Sequence, residues 1–198
     1  MSIDYYQQQA ESFYQSTITV DMTPLYQRFL PYVPAGGHIV DAGCGSGRDS
    51  LYFANLGFTV SAFDASPALV ELAQQHTGLP VSLCRFEQFT ATTPVDAIWA
   101  CASLLHVPRS ELSHAMAHLA AQLKPNGVFY CSFKYGQDEV SREGRHFTNL
   151  DESSLNELIK DLPLSIIEQW QTSDLRPGRE HERWLNAICK KGVRKDPA

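Results

Sequence analysis

The sequence has no C-x-x-C pair, and its five cysteines, Cys44, Cys84, Cys101, Cys131 and Cys189, are odd in number. Most sit in apolar, strand-like runs, where a reduced cysteine behaves as a small hydrophobe. Neither a disulfide framework nor a zinc site is expected, and no metal is assigned. Long apolar runs are also missing. The longest, around Ala97–Leu105, falls far short of a membrane span. Met1-Ser-Ile-Asp-Tyr-Tyr opens with neither a basic nor an apolar segment, so it does not read as a signal peptide, and a cytoplasmic location is expected. Charge is sparse, at 19% of residues, and the formal net charge is −6. A field of that sign disfavours non-specific contact with nucleic acid or an anionic membrane. His114 and His118 are four apart, but no H-E-x-x-H glutamate accompanies them, so they read as a solvated helix face. Lys190, Lys191, Arg194 and Lys195 read as a solvated basic tail.

What is present suits a soluble globular protein: 198 residues, 43% hydrophobic, enough for one domain with a sizeable core. Past about residue 36, short apolar runs alternate with amphipathic ones. Strands are expected at His38–Asp41, Thr59–Phe63, Val81–Cys84, Val95–Cys101 and Val128–Phe133. Helices are expected over Arg48–Leu56, closed by Gly57, from Ser66-Pro67 onward, and from Pro108 through Leu123. Pro125-Asn-Gly127 reads as the turn into the fifth strand. Thr148-x-x-Asp151 reads as a capping box for a further helix. The alternation predicts an α/β, doubly wound, mostly parallel sheet with helices on both faces. Ser165–Gln171 and Arg183–Cys189 break it, joined by the Asp174–Glu182 loop, and predict an antiparallel C-terminal hairpin at the sheet edge. Residues 2–30 read as two helices preceding the first strand.

Asp41-Ala-Gly43-Cys-Gly45-Ser-Gly47 falls between the first strand and the first helix of the alternating pattern. Ligands of doubly wound sheets bind at the carboxyl ends of the strands, and glycine there permits close backbone approach. The spacing is G-x-G-x-G rather than the dinucleotide G-x-G-x-x-G, which argues against a nicotinamide-dependent oxidoreductase. Asp64 ends the next strand, where a carboxylate can accept hydrogen bonds from a ribose diol.

Together these residues resemble a known family. Ile39-Val-Asp-Ala-Gly-Cys-Gly-Ser-Gly-Arg48 resembles the first motif of class I S-adenosylmethionine-dependent methyltransferases. Phe63-Asp-Ala-Ser66, Val95-Asp-Ala-Ile-Trp99 and Leu123-Lys-Pro-Asn-Gly-Val128 extend the likeness over roughly residues 36–135. It implies a Rossmann-like seven-stranded sheet whose last strand is antiparallel, with S-adenosyl-L-methionine as cofactor. It further implies a 36–135 cofactor-binding core inside a single 1–198 domain, with 1–34 as a helical lid and 136–198 on the substrate side. Asp41, Gly43, Cys44 and Gly45 would line the methionine end and Asp64 would hold the ribose. Ala65 and Ser66 would flank the adenine, Phe86 and Glu87 its edge, and Ala100 and Cys101 the floor under the sulfonium. Within the class, Cys44-Gly-Ser-Gly-Arg48-Asp is similar to tellurite-resistance-type small-molecule enzymes.

Methyl transfer is an in-line displacement at an activated carbon, so positioning matters more than a triad, and no triad is found. Tyr5, Tyr6, Phe13 and Tyr14 could form the lid, with Tyr14 reaching the cofactor. Arg48 opens a helix against its dipole, which calls for a carboxylate partner, from the protein or from the methionine moiety. His106 follows the fourth strand and is a candidate base or acceptor contact. Arg142 and Arg145 follow the fifth strand. Arg176, Arg179 and Arg183 lie between the last two. Arginines above a methyl donor suit an anionic small-molecule acceptor. The Asn/Asp-Pro-Pro-Tyr signature of DNA amino methylation is missing, so a nucleic-acid or protein acceptor is the alternative reading, beside a non-catalytic binding module.

Overall fold

The computed structural model describes residues 2–192; Arg194 and Lys195 of the basic tail lie outside them. Two helices, α1 (Ser2–Thr17) and α2 (Thr23–Phe29), precede a seven-stranded sheet of order β3-β2-β1-β4-β5-β9-β8. Its strands are β1 (His38–Ala42), β2 (Thr59–Asp64), β3 (Val81–Leu83), β4 (Val95–Ala100), β5 (Leu123–Lys134), β8 (Leu164–Ser173) and β9 (Arg183–Lys191). Strands β1 to β5 pair in parallel, and β9 runs antiparallel to both β5 and β8. This is the Rossmann-like fold and edge hairpin expected from the sequence.

Alternate residues of each central strand serve opposite faces. Val40, Ala42, Ile98 and Ala100 pack towards α5 (Arg109–Ala121) and α6 (Glu152–Ile159), meeting Leu112, Met116, Leu119 and Leu155. Ile39, Ala97, Trp99 and Tyr130 pack on the other face with Phe29 of α2 and Phe53 of α3 (Arg48–Asn55). There Trp99 and Tyr130 stack at 3.9 Å between ring centroids. Both faces are covered, which is why β4 reads as an apolar run apart from Asp96.

The helix starts follow local chemistry. Helix α4 (Pro67–Thr77) begins after Ser66, whose hydroxyl accepts from the Leu69 amide, and ends at Gly78 with φ +69°. For α6 the expected box is displaced. Its cap is Asp151, paired reciprocally with Ser154, while Thr148 ends a strand and donates its hydroxyl to the Val107 carbonyl. Pro125-Asn-Gly127 is not a separate turn: β5 runs through it, with Asn126 at φ +65° and the register with β4 shifting between Val95 and Ala97. The sequence also gave no sign of a small second sheet, β6 (Glu139–Arg142) with β7 (Arg145–Thr148), closed by Glu143 and Gly144, both at positive φ. No helix among the described residues is long and apolar enough to cross a membrane.

Candidate functional site

The carboxyl ends of β1, β2 and β4 open onto two adjoining cavities. The larger encloses about 690 Å³ and is lined by Asp64, Ala65, Ser66, Phe86, Glu87 and Ser103. The smaller encloses about 160 Å³ and reaches from Gly45, Arg48, Asp49 and Cys101 out to Arg142, Arg176 and Arg179. Tyr6, Phe13, Gly43, Gly45, His106 and Arg145 line both, so these residues mark the junction.

Glycines shape that junction. Gly43, at φ +76°, leaves no room for a Cβ, which would stand 2.6 Å from the Ser103 Cβ. Gly45, at φ +54°, faces the Phe13 ring, with a Cβ placed 3.0 Å from it. Both positions are left-handed and crowded, which only glycine tolerates cheaply. The Gly45 amide donates to Asp64 Oδ2 at 3.0 Å and the Ser66 amide to Oδ1 at 2.9 Å. Burial raises the Asp64 pKa, opposed by the Ser66, Gly45 and Ala65 amides, and the carboxylate keeps acceptor capacity beyond them.

Helix α1 roofs the junction. Tyr6 precedes a kink at Gln9 (φ −112°, ψ 17°), and Ala10, Phe13 and Thr17 share the inner face at helical spacing after it. Gln7 Oε1 accepts from the Ala68 amide and the Ser66 hydroxyl, tying α1 to the start of α4. The Ser2 hydroxyl accepts from the His146 amide of β7. Tyr14 faces the other way. Its hydroxyl lies 3.2 Å from His76 Nδ1 on α4 and lines neither cavity, because one helical step from Phe13 turns it about 100°.

His106 stands at the junction with a defined tautomer. Its Nδ1 is 2.7 Å from the His146 carbonyl, which only accepts, so Nδ1 carries the proton. Nε2 then accepts from the Tyr6 hydroxyl at 2.8 Å. Burial lowers the His106 pKa to about 4, so the ring is neutral at physiological pH. Burial pushes the Tyr6 phenol up to about 12.

Below the glycine loop, lining the smaller cavity, lies a carboxylate not singled out from the sequence. Asp49 accepts from Tyr26 Oη at 2.5 Å, Arg48 Nε at 2.6 Å and Trp99 Nε1 at 2.7 Å. This is the protein partner that the misplaced cation Arg48 required, although Arg48 still lines the cavity. Burial acts to raise the Asp49 pKa, but Arg48 and the two other donors hold it below the usual carboxylate range. Asp41 does not line either cavity. It is on the Ile39 side of β1, so its carboxylate faces α3, accepts from the Ser50 hydroxyl at 2.6 Å and is pushed upward by burial. Ala100 is likewise turned away into the α5 face, while Cys101 lines the smaller cavity and burial takes its thiol up to about 12. Cys44 lines the cavity but also packs with Ala62, Val70 and Ala73.

The arginines divide. Arg142, Arg145, Arg176 and Arg179 line the outer part of the smaller cavity, with Lys134. Arg183 does not; it donates to Gln171 at the surface. Asp174 grips Arg176 through two oxygens, at 2.9 and 2.5 Å, and Glu182 pairs with Arg179 at 3.3 Å and with Lys134. His118 is bonded to the Phe89 carbonyl, and among the described residues no cluster of three His, Cys, Asp or Glu could hold a metal.

Comparison with known proteins adds the following. A family model described as a methyltransferase domain matches residues 14–170. Ubiquinone biosynthesis O-methyltransferase of Paramagnetospirillum magneticum is 34% identical over 96 residues, covering 46% of this chain and 38% of that protein. The chain thus spans under half the length of this relative. The 1,6-didemethyltoxoflavin-N1-methyltransferase of Burkholderia thailandensis, solved with 1,6-didemethyltoxoflavin and S-adenosylhomocysteine, superposes with a TM-score of 0.76 at 19% identity, covering 97% of this chain and 86% of that one. The N-methyltransferase NodS of Bradyrhizobium japonicum, solved with S-adenosylhomocysteine, gives 0.72 at 17%, covering 94% and 98%. At these identities the solved structures share the fold.

Proposed function

The chain belongs to the methyltransferase-domain family, whose members take their methyl group from S-adenosylmethionine, and on that basis we propose that it methylates a small, anionic molecule. The observation that carries this reading is the meeting of two unlike cavities at Tyr6, Phe13, Gly45 and His106. One has the size and the diol-accepting carboxylate for a nucleoside, and the other is narrow and rimmed by cations.

The residues fit the donor. Gly43 and Gly45 line both cavities with bare backbone, and Asp64 keeps acceptor capacity beside Ala65, Ser66, Phe86 and Glu87. Arg48 is available to the methionine carboxylate, because Asp49 occupies its Nε and the Thr17 carbonyl its Nη1. The donor supplies a methyl carbon activated by a sulfonium. The aromatic faces of Phe13 and Tyr6 provide a favourable lining for such a cation. Everything else is positioning and proton handling by the chain. α1 closes over the junction and excludes water. The neutral His106 presents its Nε2 lone pair through the Tyr6 hydroxyl, so a proton lost by an acceptor hydroxyl or amine has somewhere to go. Arg142, Arg145 and Arg179 supply positive charge for the acceptor.

Isothermal titration with S-adenosylhomocysteine and with NADH tests the donor assignment; binding of NADH alone would overturn it. A screen of thiols, oxyanions and small carboxylic acids with methyl-labelled donor tests the acceptor class. Labelling only of neutral compounds would remove the anionic reading.

A further inference from the structure

The hairpin β6–β7 has an arrangement that costs stability unless something binds to it. Arg142 and Arg145 are direct cross-strand partners beside the Glu143-Gly144 turn. Like charges in directly opposed positions destabilise a hairpin. No carboxylate answers both. Arg145 reaches Glu143 at 2.8 Å through Nη2, but Glu143 is 66% exposed, where water screens the pair. Among the described residues Arg142 has no ion pair and lies 6.0 Å from the Phe147 ring. By contrast, Arg176 on the opposite wall is matched by the buried Asp174, while Glu182 is shared between Arg179 and Lys134.

Arg145 shows the deficit most directly. Its side chain is only 12% exposed, held 4.4 Å over the Tyr5 ring and 5.2 Å from the Phe147 ring. Its Nε is buried with no hydrogen-bond partner. A buried N–H of a charged group without an acceptor is among the costlier defects a fold carries. The guanidinium lines the junction of the two cavities, beside His106 and Tyr6, and Arg142 lines the cavity further out. With Nε buried and Nη2 on Glu143, what Arg145 presents to a carboxylate in the cavity is its remaining Nη donor and its charge, beside the Arg142 guanidinium across the hairpin.

We propose that the hairpin is a carboxylate clamp: the methyl acceptor is a hydroxy or amino carboxylic acid whose carboxylate is held by Arg142 and Arg145, with its nucleophilic atom at the Tyr6–His106 junction. This rests on the methyltransferase reading and specifies its acceptor. Arg176 lines the cavity but its charge is met by Asp174, and Arg179 shares Glu182 with Lys134, so neither is the cross-strand pair assigned as the clamp.

Benzoate and its neutral isostere benzamide are suitable probes, titrated into the protein loaded with S-adenosylhomocysteine. Benzoate is expected to bind at least about tenfold more tightly than benzamide, the scale of hydrogen bonds to a charged group. Arg145→Met should remove that preference, Arg142→Met should weaken it, and Arg145→Lys should keep part of it, since charge remains without the guanidinium. Arg183→Met, outside both cavities and bonded to Gln171 at the surface, should change benzoate affinity less than about twofold. All four variants should bind S-adenosylhomocysteine as the wild type does. Equal affinity for the two probes, no saturable benzoate binding, or full benzoate affinity in Arg145→Met would overturn the clamp. Failure of the wild type to bind S-adenosylhomocysteine would instead overturn the methyltransferase reading, and the probe comparison on the unloaded protein would still judge the clamp.

Discussion

Replacing Asp49 by alanine should be among the most damaging single changes in the molecule, and the reason lies in what it leaves behind. The carboxylate takes three donors, from Tyr26, Arg48 and Trp99, at 2.5–2.7 Å. Without it the Arg48 guanidinium, whose side chain is 20% exposed, loses its counter-charge, and the indole N–H and phenol are left without acceptors. Removing one partner of a buried pair costs about 3–5 kcal/mol. For a domain of this size that is a fall in Tm of about 10 °C. Urea unfolding followed by circular dichroism measures it directly. Because the penalty comes from the orphaned cation, the double variant Asp49→Leu with Arg48→Met should be more stable than Asp49→Ala by at least about 1 kcal/mol. The depressed carboxyl pKa has a matching pH signature. The stability it contributes is present above the ordinary carboxylate range and is lost as the pH falls through its lowered folded value. If Asp49→Ala costs under about 1 kcal/mol, or the double variant is no better than the single, the charge at Asp49 does not hold this network and the reasoning fails.

Three further outcomes are expected. Asp64→Ala should weaken S-adenosylhomocysteine binding by about 1.5–3 kcal/mol in isothermal titration, and unchanged affinity in a folded protein would remove Asp64 from the ribose site. Gly45→Val should abolish that binding while circular dichroism still shows a folded protein, since the new side chain meets Phe13 from a left-handed backbone position; normal binding would exclude this loop from the donor site. His106, with its pKa lowered from 6.5 to about 4, takes up a proton more readily unfolded than folded. Stability should therefore fall as the pH drops from about 6.5 towards 4, by at most about 3 kcal/mol, and His106→Gln should remove that share of the slope.

The meeting of the glycine loop with Asp64 is readable in the sequence because it is built from short-range rules. Three alternate glycines after an apolar strand, and an acid ending the next strand, need only the strand–turn–helix order to bring Gly45 and Asp64 within 3.0 Å. The misassignments came from direction rather than position. Asp41 and Ala100 were correctly placed at strand ends, but strand alternation turns Asp41 towards α3 and Ala100 towards α5. The same one-residue phase separates Tyr14, which faces His76, from Phe13, which faces the glycine loop. The period was visible; the phase depended on which face of α1 the rest of the fold would cover. Asp49 was missed because its donors Tyr26 and Trp99 lie 23 and 50 residues away in the chain. The β6–β7 hairpin was missed because Glu139–Arg142 is exposed throughout and Val140 is its single apolar residue, too little alternation to announce a strand.

That hairpin is anchored on one side only. β7 buries Phe147 and Thr148 in the domain core, whereas every residue of β6 is exposed. Substitutions along β6 and at its tip therefore alter what the chamber meets while removing almost no core packing. Substitutions in the glycine loop or beneath it disturb both the donor pocket and the folded state. On the clamp proposed above, acceptor choice and folding stability fall on different stretches of chain, so one acceptor could be exchanged for another through β6 while β1, β2 and β4 stayed as they are.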